Sequence, residues 1–312
     1  MRHRSLLSCA VAAIALATAV PALAEAPAAA PAPAASAQAP AQQAFDYNIM
    51  ISANRLGDPQ VSPDGRWVVY SVTTTDVAAN RRAGALFIQD LQNPGEGRRL
   101  AINEGGANTT RWGSDGKLYF LSGRSGSSQV WRAEADGTAP VQVTNLPLDV
   151  NAYRISPDAA KVVVSLAVFP DCADLACTVN RAKAVSDDPS TGQVYDRMFV
   201  RHWDTWSDHT QNHLFAVNAD GSGAPVHLTR GFDGDTPSKP FGDESEFVFT
   251  PDSQGVVFSA RHAGNSEPWS TNFDLYQVAI SAPGQLTNLT DANEAWDTGP
   301  VFSPDGKTLA YR

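Results

Sequence analysis

Twelve consecutive residues concentrate the recognisable chemistry of this chain: Tyr195-Asp196-Arg197-Met198-Phe199-Val200-Arg201-His202-Trp203-Asp204-Thr205-Trp206. They hold three Arg/His cations, two carboxylates and four aromatic rings. That composition suits recognition. Arg201 and Asp204 can hold charged ends of a ligand, His202 adds a third polar group, and Trp203 and Trp206 can form walls. A structural use fits the same residues: Arg and Asp pair with each other, and the tryptophans seat the segment on the scaffold. Catalytic chemistry is not visible. No G-x-S-x-G occurs, since Gly123-Arg124-Ser125 continues as Gly126-Ser127 and Gly264-Asn265-Ser266 as Glu267-Pro268. His202, His209, His213, His227 and His262 have no nucleophile that the sequence pairs with them.

Upstream lie Cys172 and Cys177, five positions apart. In an exported protein they favour a disulfide, with two free thiols as the alternative. No His or second Cys pair stands nearby with metal-ligand spacing, so neither a metal nor any other cofactor is implied. The acidic, Pro-rich stretch Asp233 to Glu244 fits no standard calcium pattern and reads as an exposed turn.

The elements that must carry these groups are short strands. Ser62-Pro63-Asp64-Gly65 precedes Trp67-Val68-Val69-Tyr70, and the pattern returns at Asp115, Asp158, Asp252 and Asp305. Pro presets φ for the turn, Asp accepts bonds from the amides that follow, and Gly supplies a positive φ. A second series begins at Leu86, Val130, Leu214 and Leu275, and each unit closes on a short strand such as Arg99-Leu100-Ala101 or Val141-Gln142-Val143-Thr144. Turn–strand–strand–turn–strand repeated every ~40–50 residues is the mark of a β-propeller. The expected architecture is all-β, with four-stranded blades near 58–102, 103–145, 146–230 and 231–290 and a partial fifth. The third unit is interrupted over about 170–211, and a long insertion on a regular scaffold is where function usually sits.

Met1-Arg2-His3-Arg4, the apolar run Leu6 to Val20 and Ala22-Leu23-Ala24 read as a signal peptide cleaved after Ala24, with Cys9 inside it. Residues 25–44, almost wholly Ala, Pro and Gln, read as a tether, which leaves 45–312 as an incomplete propeller. Secretion or a periplasmic location follows. Removing Arg2 and Arg4 leaves 21 basic residues against 33 acidic, a net charge near −12, which argues against a nucleic-acid partner. Outside the leader no segment is long and apolar enough to span a membrane.

The Ser-Pro-Asp-Gly turns with closing Leu-Thr pairs resemble the TolB-like propeller repeats of the prolyl oligopeptidase family. The Cys172/Cys177 insertion followed by Tyr195-Asp196 and Phe199 to Trp206 is similar to the dipeptidyl-peptidase V and acylaminoacyl-peptidase-like branch of that family. The resemblance implies a propeller that gates short peptides toward a C-terminal α/β-hydrolase domain with a nucleophilic serine. With no elbow and no βαβ series, the chain resembles the gating portion of such a serine exopeptidase, cut off before its catalytic domain and inactive alone. It implies that Arg201, His202 and Asp204 face the peptide entrance, with Asp204 accepting from the substrate ammonium. A stand-alone TolB-like binding or scaffolding propeller is the alternative; the coding sequence beyond Arg312 discriminates the two.

Overall fold

The computed structural model describes residues 44–198 and 200–312. The expected signal peptide and all but the last residue of the tether lie outside these described residues. A short helix, α1 (Tyr47–Ser52), opens on Asp46, whose side chain accepts from the Ile49 amide at 2.9 Å. Strands then follow in repeating antiparallel sets.

The first blade is β1 (Arg55–Val61), β2 (Trp67–Asp76), β3 (Arg81–Asp90) and β4 (Arg98–Arg99). Its closing strand is shorter than the sequence suggests, because Ala101–Gly105 winds into a 3-10 turn. The second blade is β5 (Asn108–Trp112), β6 (Leu118–Ser122), β7 (Gln129–Ala133) and β8 (Val141–Gln142). In the third, β9 (Ala152–Ile155) and β10 (Lys161–Val168) are followed by α2 (Leu175–Asp187) and a small hairpin, β11 (Arg201–His202) and β12 (Thr205–Trp206). The chain then returns to the sheet as β13 (Gln211–Asn218) and β14 (Val226–His227). The fourth blade is β15 (Phe247–Phe249), β16 (Gly255–Ala260), β17 (Asp274–Ala279) and β18 (Leu286–Asn288), and β19 (Val301–Phe302) pairs with β20 (Leu309–Ala310) beyond it. This is the propeller expected from the repeats.

The repeated turn is a small hydrogen-bonded device. The Ser62 hydroxyl accepts from the Trp67 amide at 2.9 Å, and Asp64 accepts from the Arg66 amide at 3.1 Å. The same pair of bonds recurs at Ser156/Lys161 and Asp158/Ala160 (2.9 and 3.0 Å) and at Thr250/Gly255 and Asp252/Gln254 (2.8 and 3.0 Å). Gly takes the positive φ at Gly65, Gly116 and Gly306, whereas Ala159 and Ser253 occupy that position in the third and fourth repeats. The hydroxyl in first place, which bonds both the Asp carboxylate and the far strand, explains why Ser or Thr recurs there.

Alternation along each strand sends successive side chains to opposite neighbours. Leu118 and Phe120 pack with Val69, Leu86 and Ile88 of the first blade, while Tyr119 and Leu121 pack with Val162, Val164 and Leu166 of the third. Val163, between those valines, turns the other way to join Phe247, Phe249 and Phe258 of the fourth. Inner strands are also tied by charge. Arg111 on β5 bonds Asp58 on β1 at 2.8 Å and makes a second ion pair with Glu244, just before β15. Arg154 on β9 donates to the Glu244 carbonyl at 2.7 Å.

Candidate functional site

Each blade is antiparallel, so its first-to-second and third-to-fourth turns fall at one end. Second-to-third turns and the links between blades fall at the other. The insertion joins β10 to β13, a second-to-third connection, and so lies at the end opposite the Ser-Pro-Asp-Gly turns.

The insertion begins rigidly. Cys172 and Cys177 are joined as a disulfide with Cα atoms 5.5 Å apart. Asp174 caps α2 by accepting from the Cys177 amide at 2.8 Å, and Arg181 forks onto Asp171 at 2.6 and 2.8 Å while its guanidinium lies 4.8 Å from the Phe169 ring centre. This helix was not expected from the sequence, where its signal is an Asp N-cap before an Ala-rich run of helix formers.

The β11–β12 hairpin pairs Arg201 with Trp206 on one rung, and the Arg201 guanidinium lies 5.4 Å from the Trp206 ring centre. Tyr195 stacks between Trp206 and His209, with centroids 6.1 and 5.1 Å away, and its hydroxyl donates to the Ser207 carbonyl at 3.1 Å. At the hairpin tip, Trp203 has a positive φ of 50° and packs on Phe241 at 5.2 Å. The His202 ring meets the edge of the same Phe241 at 5.7 Å.

This hairpin forms one wall of a cavity of about 880 Å³. Arg201, His202 and Trp206 line it; Trp203, which is 75 % exposed, and Asp204 do not. Arg201 and Asp204 form no ion pair with each other. The other walls are the β14–β15 link (Asp235, Ser238 to Gly242, Glu246), the β16–β17 connection (Glu267, Phe273) and Trp296 after β18. These are a second-to-third connection and links between blades, which fall at the same end as the insertion, so the whole cavity sits at one end of the blades.

The Asp233–Glu244 stretch is therefore no simple exposed turn. Asp235 is half-buried, Thr236 and Ser238 are buried, and Lys239 reaches back to the Thr210 carbonyl at 2.7 Å. Burial pushes the Asp235 carboxyl up to about 6, against the opposing pull of Lys239, 3.9 Å away, and the Asn212 amide, 2.7 Å away. Burial also raises Glu246, although it accepts both the Ser238 amide (2.7 Å) and hydroxyl (2.8 Å). Burial works to raise Asp233 too, but Arg197 and Gln211, each at 2.9 Å, overcome it and hold that carboxyl below its usual range.

Five carboxylates (Asp196, Asp208, Asp235, Glu246, Glu267) and four cations (Arg197, Arg201, Lys239, Arg261) stand among the described residues that line the cavity. Tyr195, Trp206, Phe241, Phe273 and Trp296 supply flat apolar surface between them. Such a mixture suits a small zwitterionic molecule with apolar side chains. Behind the wall, His213 on β13 is fully buried and its Nδ1 lies 2.8 Å from Nε2 of His227 on β14. Burial holds His213 at about 4 and His227 at about 3, so both rings are neutral.

No family model matches the chain. Against curated proteins it is 32% identical over 289 residues to dipeptidyl-peptidase 5 of Porphyromonas endodontalis, covering 87% of this chain and 39% of that protein. With that match the chain resembles the propeller region of a prolyl oligopeptidase-family peptidase. Dipeptidyl-peptidase 5 of Porphyromonas gingivalis matches at 28% identity over 272 residues, with 84% of this chain and 38% of that protein covered. The chain thus spans about two fifths of the length of these relatives. Among solved structures, Pyrococcus horikoshii acylaminoacyl peptidase superposes with a TM-score of 0.55 at 13% identity, over 86% of this chain and 36% of that one, a likeness of fold.

Proposed function

We propose that this chain is the substrate-gating propeller portion of an exported serine exopeptidase of the dipeptidyl- or acylaminoacyl-peptidase type, acting on short peptides. The observation that carries the reading is the cavity of about 880 Å³ that the insertion builds at one end of the blades, lined by aromatic rings and by more carboxylates than cations. Its volume suits a peptide of a few residues. The excess of carboxylates suits an ammonium group, the feature that an exopeptidase must recognise. The names of the Porphyromonas relatives support the same reading. Arg201, His202 and Trp206 contact the peptide inside the cavity, while Trp203 and Asp204 stand at the hairpin tip beside it. The nucleophile and oxyanion hole belong to a hydrolase domain outside this chain, so the chain alone turns over neither dipeptidyl nor acyl-peptide reporters. Export follows the leader, and amino-terminal sequencing of the secreted protein finds Glu25 first.

The test is a length series. Peptides of two to four residues with a free amino terminus bind the purified chain and quench tryptophan fluorescence, and peptides several times longer bind at least about 10-fold more weakly. Affinity that is independent of length contradicts gating.

A further inference from the structure

Three of the four cavity cations are already committed. Arg197 is paired with Asp233 at 2.9 Å, Arg261 with Glu267 at 3.0 Å, and Lys239 lies between Asp208 and Asp235 at 3.8 and 3.9 Å. Arg201 differs. Among the described residues it makes no ion pair, and its guanidinium carbon lies over the Trp206 ring, 5.4 Å from the ring centre. Stacking on an indole fixes the guanidinium against a flat surface and leaves its edge N–H donors unused. Trp206 is itself held, with Tyr195 stacked at 6.1 Å and the Tyr195 hydroxyl bonded to the Ser207 carbonyl at 3.1 Å. The rung Arg201–Trp206 of the hairpin sets both side chains on the cavity wall. A planar fork of donors, oriented beforehand and lacking a countercharge, matches a carboxylate.

We infer that Arg201 is the carboxylate-recognising group of the cavity, taking either the C-terminal carboxylate of a short peptide or an Asp/Glu side chain of one, with Trp206 as the floor beneath it. This rests on the reading of the cavity as a peptide site, and it narrows the ligand from short peptides in general to those carrying an anionic group within reach of the hairpin.

The experiment uses calorimetry on the purified chain with three probes: Ala-Ala-Ala, Ala-Ala-Ala-amide and Ala-Glu-Ala-amide. Binding of the free acid at least about 10-fold tighter than the plain amide supports recognition of a terminal carboxylate. Tight binding of the Glu-containing amide alone supports recognition of a side chain. In either case R201Q brings the favoured peptide down to the level of the plain amide and leaves the plain amide within about twofold. R201K, which keeps the charge and loses the fork, falls between, and it serves in place of R201Q if that variant does not fold. Equal affinity for all three probes in the unaltered chain overturns the role of Arg201 and leaves the peptide site standing. Absence of binding by any probe up to about 10 mM overturns the peptide site itself, and the Arg201 inference with it.

Discussion

The neutral His213–His227 pair makes the fold sensitive to acid in a way that can be calculated. His213 is buried, and burial lowers its pKa from 6.5 to about 4, against the opposing pull of the Phe232 backbone. In the unfolded chain the same ring protonates below about 6.5, so the unfolded state binds the proton first as pH falls. The stabilising preference for the neutral ring is therefore intact above about pH 6.5 and is lost progressively down to about 4. The 2.5-unit difference between those two values amounts to about 3 kcal/mol at ~1.4 kcal/mol per unit, or roughly a 6–12 °C fall in Tm for a domain this size. Asp235 acts in the opposite sense, because its raised pKa lets the folded state take a proton before the unfolded state does. A comparison with the double variant His213→Leu/His227→Phe removes that contribution, which both proteins share. Urea unfolding at pH 7 and pH 4 should show the unaltered chain losing at least about 3 kcal/mol more than the variant between the two values, because the lowered His227 adds in the same direction. Parallel stability curves would refute the assignment of two neutral, buried rings.

Arg111 clamps three inner segments, and Arg111→Met removes the cation that Asp58 and Glu244 share; unfolding free energy should fall by about 3 kcal/mol in urea titrations. A Cβ at Gly242 would lie 2.4 Å from the Ser238 nitrogen and 2.5 Å from its carbonyl oxygen, both backbone atoms, so Gly242→Ala should lower Tm and weaken peptide binding together, by calorimetry of both. Trp206→Ala should weaken short-peptide binding at least about 10-fold, whereas Asp204→Asn, off the cavity wall, should change it less than about threefold in the same titration.

The propeller was legible because its signal is local and repeated. Asp64, Asp158, Asp252 and Asp305 each bond amides within two residues, and Val162, Val163 and Val164 after Asp158 alternate toward successive blades. The Arg201–Trp206 segment was legible by composition, but composition does not say which of its residues share a wall. A two-residue hairpin sends Arg201 and Trp206 to one rung and puts Trp203 and Asp204 at its tip, a matter of register. Helix α2 was missed because it buries only Thr178 and so has little apolar periodicity. The wall formed by Asp235, Ser238 and Glu246 was hidden because burial comes from residues distant in sequence, such as Asn212, whose amide bonds Asp235. His213 and His227 meet only through the pairing of β13 with β14.

The most direct measurement of the central claim is photo-affinity labelling of the purified chain with a tripeptide bearing a free amino terminus and a photoreactive phenylalanine, followed by peptide mapping. Adducts confined to the hairpin around Trp206 and to the Ser238–Gly242 wall, and displaced by unlabelled tripeptide, are the predicted result. Adducts spread over the surface, or concentrated in the separate cavity of about 460 Å³ beside Leu175 and His227, would contradict it.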